Sequence, residues 1–157
     1  MKKILLAFTC LYGVTIGSTC LAETGLMAHQ PWVREAPPNM TMNAAYMELR
    51  NDSDNDLMIV GGQSKDFGKV EIHTTVLEND VAKMLPIPKL VIPAKKSVTL
   101  APGGIHIMLL NRQHEVKTGD KIDITLQLKD GQTLPLSVEV KAAAPTAETD
   151  GMSEHHH

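Results

Sequence analysis

Two short segments of this chain each offer one imidazole and one thioether, at spacings that a β-strand turns to a common face. In Ile105-His106-Ile107-Met108-Leu109, strand alternation assigns Ile105, Ile107 and Leu109 to one face and His106 and Met108 to the other. The apolar three need the core, which sends the His-Met pair outward or into a rim. The second pair, His73 and Met84, brackets Asn79-Asp80, a dipeptide suited to a tight hairpin turn. With that turn, Glu78 faces Val81, Thr75 faces Met84 and His73 faces Pro86. Met84 is then diagonal to His73 on one face, roughly 7–8 Å away at the backbone, a gap long side chains span. A slip of one residue would reverse the face of Met84. Either pair alone reads better as a packing methionine beside a half-exposed histidine. Two independent pairs shift the balance toward shared ligation.

The donors select the metal. Thioethers are soft and neutral and favour Cu(I), whereas zinc prefers imidazole, carboxylate or thiolate, and calcium and magnesium prefer oxygen. Two imidazoles with two thioethers suit tetrahedral or trigonal Cu(I) over Cu(II), which prefers tetragonal nitrogen and oxygen donors. Thioethers also need no deprotonation before they bind.

Strands must position these residues. Short runs at 45–50, 57–63, 70–77, 81–87, 98–100, 105–110, 121–128 and 133–140 alternate with turn formers such as Asn51-Asp52-Ser53-Asp54-Asn55-Asp56 and Lys129-Asp130-Gly131-Gln132. Pro37, Pro38, Pro86, Pro88, Pro93 and Pro102 cut any helix short. The expectation is an all-β sandwich or small barrel in one domain over 23–141. A polar tail rich in Ala, Pro and Thr follows at 142–157.

The N-terminus reads as an export signal, with Lys2 and Lys3 ahead of an apolar stretch from Ile4 to Ile16. The stretch is too short and interrupted for a membrane span, and cleavage after Ala22 completes a signal peptide over 1–22. A lipoprotein signal ending at Cys20 competes with this reading, although Gly17-Ser18-Thr19 lacks the usual aliphatic residue. Cleavage after Ala22 removes Cys10 and Cys20, the two cysteines of the chain. No disulfide, thiol nucleophile or thiolate metal site then remains, which also excludes a blue-copper centre. An exported protein without disulfides fits the bacterial periplasm.

The mature chain has about 135 residues, enough for one real core. Loss of Lys2 and Lys3 takes the formal net charge from −3 to about −5. No basic cluster is present to neutralise phosphates, so nucleic acid is not an expected partner. After the signal, the aromatics are Trp32, Tyr46 and Phe67, too few for sugar or base platforms. Neither G-x-S-x-G nor H-E-x-x-H occurs, so the expectation is a binding protein and not an enzyme.

His73, ten residues, Met84, twenty-one residues, His106, one residue and Met108 resemble the His-x10-Met-x21-His-x-Met signature of the PCuAC family of periplasmic copper(I) chaperones. Similar flanks include Trp32-Val33-Arg34-Glu35-Ala36-Pro37-Pro38, Ala45-Tyr46-Met47, Pro102-Gly103-Gly104-Ile105 and Lys117-Thr118-Gly119-Asp120. The resemblance spans about 28–141 and implies a cupredoxin-like Greek-key β-sandwich binding Cu(I) through His73, Met84, His106 and Met108. It also implies a carrier delivering copper toward the CuA domain of cytochrome c oxidase subunit II, often beside a Sco-type thiol protein; a monomer is expected. Thr74 and Thr75 stand where some members carry a further donor. Storage or resistance without specific delivery is the alternative.

Other donors are secondary. Met40-Thr41-Met42, with Met47 nearby, could form a second soft site or simply pack a loop. Met27 and His29 could join a transient site, His114 reads as solvated, and Trp32 and Tyr46 read as packing or rim. In the tail, Met152 and His155 to His157 could bind Cu(II), or the His run could be a purification-tag remnant.

Overall fold

The computed structural model describes residues 25–142, and every regular element among them is a strand. These are β1 (Leu26–Arg34), β2 (Asn43–Asn51), β3 (Leu57–Gln63), β4 (Phe67–Glu78), β5 (Val81–Pro86), β6 (Leu90–Ile92), β7 (Ser97–Leu100), β8 (Ile105–Arg112), β9 (Lys121–Leu128) and β10 (Thr133–Lys141). No helix among the described residues is long and apolar enough to cross a membrane.

The strands follow the order β5-β4-β8-β2-β1-β10-β9-β3-β6, and β3 also pairs with β4. That last pairing closes seven strands into a barrel and leaves β5, β6 and β7 outside the ring, with β7 paired to β2. The expected all-β, cupredoxin-like sandwich is therefore joined along one seam. Consecutive strands β2 and β3, and likewise β8 and β9, lie far apart in this order, so their connections cross between the two halves.

Closure occurs at Gly62. It pairs with Val70 of β4 on one side and Leu126 of β9 on the other. A Cβ here would lie 2.9 Å from the Thr125 carbonyl oxygen and 3.0 Å from Val70 Cγ1. Only glycine lets the three backbones approach this closely.

Inside the barrel, Ile72 faces Ile107, Ile107 faces Ala45, and Ala45 faces Val33. All four belong to one buried apolar cluster. The residue beside each in sequence must point to the opposite face. This lateral core row thus dictates a parallel row on the outside of the same four strands.

The turns form where their chemistry requires. Asn79 and Asp80 both have positive φ, 53° and 61°, as a type I′ hairpin turn demands. In the polar 51–56 segment, the buried Asn51 amide donates to the Asn55 and Ile92 carbonyls and accepts from the Ser53 N–H and hydroxyl. Strands β1 and β6 lie outside the runs read from sequence. Pro31 and a bulge between His29 and Trp32 break the alternation of β1, with Gln30 at φ 48°. The three residues of β6 sit between Pro88 and Pro93, too short to show a period.

Candidate metal centre

Strands β4, β5 and β8 carry the four candidate donors. The register across the Asn79-Asp80 turn pairs His73 with Pro86, Thr75 with Met84 and Glu78 with Val81, as the turn chemistry predicts. Across the β4–β8 ladder, His73 faces His106 and Glu71 faces Met108. Directly opposed residues share a face, so His73, Met84, His106 and Met108 all lie on the face turned from the core. His73 is the hub, opposite His106 and diagonal to both methionines.

The structure brings three of these residues closely together. The imidazoles of His73 and His106 lie 6.0 Å apart between ring centroids, and Met108 follows His106 along β8. Met84 stands apart on the edge strand. On a flat sheet the two methionines, two strands and four residues apart, would be on the order of 15 Å from each other at the backbone. Their surroundings differ as well: Met108 is 7% exposed and Met84 54%.

Burial corrects one expectation. The His106-Met108 pair does face away from the core, yet His106 is only 2% exposed and His73 8%. The outer face is covered locally by rings from adjacent strands. Tyr46 of β2 lies 6.2 Å from His106 between centroids, and Trp32 of β1 lies 4.7 Å from Tyr46. Strand alternation assigns a face, whereas neighbouring strands decide whether that face is wet.

Hydrogen bonding determines the tautomers. His106 Nδ1 lies 3.0 Å from the Gly104 carbonyl oxygen, which can only accept, so Nδ1 carries the hydrogen. The same carbonyl accepts from the Thr75 N–H at 3.2 Å, which ties it to β4. His73 Nε2 lies 3.0 Å from Glu71 Oε2 and donates to that carboxylate. In the neutral rings, His106 Nε2 and His73 Nδ1 then keep their lone pairs. Both atoms are buried and have no hydrogen-bond partner.

Glu71 belongs to the site, although its sequence position alone assigned it no role. Its other oxygen pairs with Lys69 Nζ at 2.5 Å. The Lys69 bond, and after it the His73 bond, hold the carboxyl below its ordinary range. An ionised carboxylate orienting an imidazole is the usual outer support of a metal-binding histidine. The i, i+2 spacing of Glu71 and His73 is the sequence signal for it.

Among the described residues, no three or more His, Cys, Asp or Glu side chains gather to hold a metal ion. The one carboxylate beside the pair, Glu71, is engaged by Lys69 and His73, and zinc, calcium or magnesium would call on more oxygen or thiolate donors than this. Paired imidazoles flanked by thioethers are the donors it offers.

The secondary candidates separate. Met40 and Met42 are exposed, but Met47 is 3% exposed and points into the core, so it is no third donor to them. Met27 and His29 lie on β1, with His29 facing Glu48. His114 is not simply solvated: its Nε2 lies 2.9 Å from Asp66 Oδ1 and its Nδ1 2.9 Å from the Glu115 carbonyl. The expected signal segment over 1–22 with its Cys20, and Met152 and the run from His155 to His157, lie outside the described residues.

The LpqE-like family model matches residues 26–140. Lxx21020 of Leifsonia xyli subsp. xyli, which carries a lipoprotein name, is 35% identical over 118 residues, covering 74% of this chain and 70% of that protein. RP573 of Rickettsia prowazekii is 28% identical, covering 76% of this chain and 68% of that one. Among solved structures, CuI-DR1885 from Deinococcus radiodurans is 33% identical with a TM-score of 0.60, over 80% of this chain and 83% of its own. The copper-bound PCuAC domain from PmoF2 shares the fold at a TM-score of 0.65 and 24% identity, over 76% of this chain and 94% of its own. The chain belongs to the LpqE-like family, and its fold is that of PCuAC domains.

Proposed function

We propose that this protein binds one Cu(I) ion through His73, Met84, His106 and Met108 and carries it in the periplasm. The carrying observation is the pair of opposed imidazoles, each with one nitrogen engaged as a donor and the other a buried lone pair without a partner. Buried nitrogens without partners cost stability, and a bound cation satisfies both at once. The copper named for CuI-DR1885 supports the same reading.

The donor set suits a carrier. Neutral imidazoles and thioethers hold Cu(I) without thiolate, so a partner with thiolate donors can withdraw it. Met84, on the exposed edge hairpin, is the donor a partner reaches first. We assign delivery toward the CuA domain of cytochrome c oxidase subunit II, with a Sco-type thiol protein as the expected companion. Export is supported by the N-terminal apolar segment and by the lipoprotein name of the Leifsonia relative. That name also favours, as a second reading, lipid attachment at Cys20.

Anaerobic Cu(I) titration of residues 23–141 against a competing chelator tests binding, with one tight equivalent expected. Loss of that equivalent on removal of the tail would move the activity to the His run. Transfer to an apo CuA domain, with and without a Sco-type protein, separates delivery from storage. Mass spectrometry of the exported protein separates cleavage after Ala22 from lipidation at Cys20.

A further inference from the structure

Four rings lie side by side on the outer face of the barrel, one from each of four neighbouring strands: Trp32, Tyr46, His106 and His73. Their centroid spacings run 4.7, 6.2 and 6.0 Å, with tilts of 42°, 50° and 49°. The register accounts for the row, since Trp32 faces Tyr46 and His106 faces His73. The bulge between His29 and Trp32 adjusts the β1 end, so His29 and Trp32 face Glu48 and Tyr46 on the same side of β2. Three aromatics follow the signal segment, and two of them stand here.

Tyr46 is 6% exposed and forms a partition. On one side it meets His106. On the other, together with Trp32, Glu48, Thr99 and Pro102, it lines an open cleft of about 280 Å³. Without the phenol ring, that cleft would extend toward His106.

We propose that Tyr46, backed by Trp32, is a positioning residue for the copper site, holding the His106 ring in place and keeping cleft water from becoming an additional ligand. The physical basis is coordination number. Cu(I) accepts three or four soft or neutral donors, whereas Cu(II) gains from further oxygen or nitrogen ligands in a tetragonal arrangement. A ring that denies water this approach stabilises the reduced ion. With Tyr46 removed, bound Cu(I) would pass one electron more readily to dioxygen, giving Cu(II) and superoxide. This role rests on the copper reading above and adds to it a determinant of oxidation state outside the donor set.

The test compares the wild-type chain with Tyr46→Phe, Tyr46→Leu and Trp32→Leu. Each is loaded anaerobically with Cu(I), titrated with a chelator, then exposed to air while Cu(II) is followed by electron paramagnetic resonance. Tyr46→Phe keeps the ring and should match the wild type in both readouts. Tyr46→Leu should lose roughly tenfold in Cu(I) affinity, the scale of an outer-shell support, and oxidise several-fold faster. Trp32→Leu, altered at the half-buried end of the row, should show the same change in weaker form and carries the test if Tyr46→Leu does not fold. A folded Tyr46→Leu protein with wild-type affinity and oxidation rate overturns the proposal. So does a Tyr46→Phe protein as impaired as Tyr46→Leu, which would assign the effect to the hydroxyl. A wild-type protein that takes up no Cu(I) overturns the copper reading and this role together.

Discussion

His73 and His106 are direct partners across the β4–β8 ladder, with ring centroids 6.0 Å apart and a buried, unpartnered nitrogen on each ring. One ring is oriented by a carboxylate and the other by a backbone carbonyl. Both supports come from residues two positions earlier in the same segment, Glu71 and Gly104. Each segment therefore brings its histidine together with the acceptor that fixes the tautomer.

The two methionines should separate experimentally. Met108 is buried and Met84 exposed, so Met84→Leu should leave the melting temperature unchanged, whereas Met108→Leu should cost less than about 1.5 kcal/mol as a volume-conserving swap at a buried position outside the core. Both should weaken Cu(I) in a chelator competition. Unchanged affinity in both variants would return the residues to packing.

Glu71→Ala should lower Cu(I) affinity by about 10–100-fold while the fold persists, since the carboxylate orients His73 without being a donor itself. Circular dichroism and the same competition assay check this. Wild-type affinity would show that His73 is held without Glu71.

The His114 contact with Asp66 predicts a pH dependence remote from the centre. Both ring nitrogens face acceptors, an arrangement that only the imidazolium satisfies with two donors. The Glu115 carbonyl first, and Asp66 second, raise its pKa above 6.5. A raised folded-state value means the stabilisation is fully present below the ordinary pKa and fades as pH rises through the raised one. His114→Gln should thus flatten a decline in urea midpoint on the alkaline side of 6.5. The effect should be small, because the ring is largely solvent-exposed. Equal pH profiles for the two proteins would remove the assignment.

Gly62→Ala should destabilise the domain by about 1–3 kcal/mol, the range for forcing an extra group into a packed site. The added methyl meets the Thr125 carbonyl and Val70 at the closure of the barrel. Thermal unfolding measures the loss. Because the centre lies on β4, next to that seam, a larger fall in Cu(I) affinity than in stability would show that closure also shapes the centre.

Much of the centre was legible in the residues because strand geometry is local. A period of two places His106 with Met108, and Asn79-Asp80 determines the register that sets Met84 diagonal to His73. Donor softness is likewise a property of side-chain types and needs no coordinates. Strands β3 and β9 could be delimited from their runs and turn residues, whereas β1 could not, because its bulge breaks the period.

Burial and tautomer depend on contacts between segments distant in the chain. Tyr46 meets His106 across sixty positions of sequence, and the Gly104 carbonyl is held by Thr75 of another strand. Pairing of β3 with β4 at Gly62 and Val70 closes the barrel that presents the centre. By itself the sequence determined which donors share a face and which metal they suit. Tertiary structure decided that His73, His106 and Met108 are shielded while Met84 remains open, because shielding of a strand's outer face comes from its lateral neighbours, and lateral order is a property of the fold.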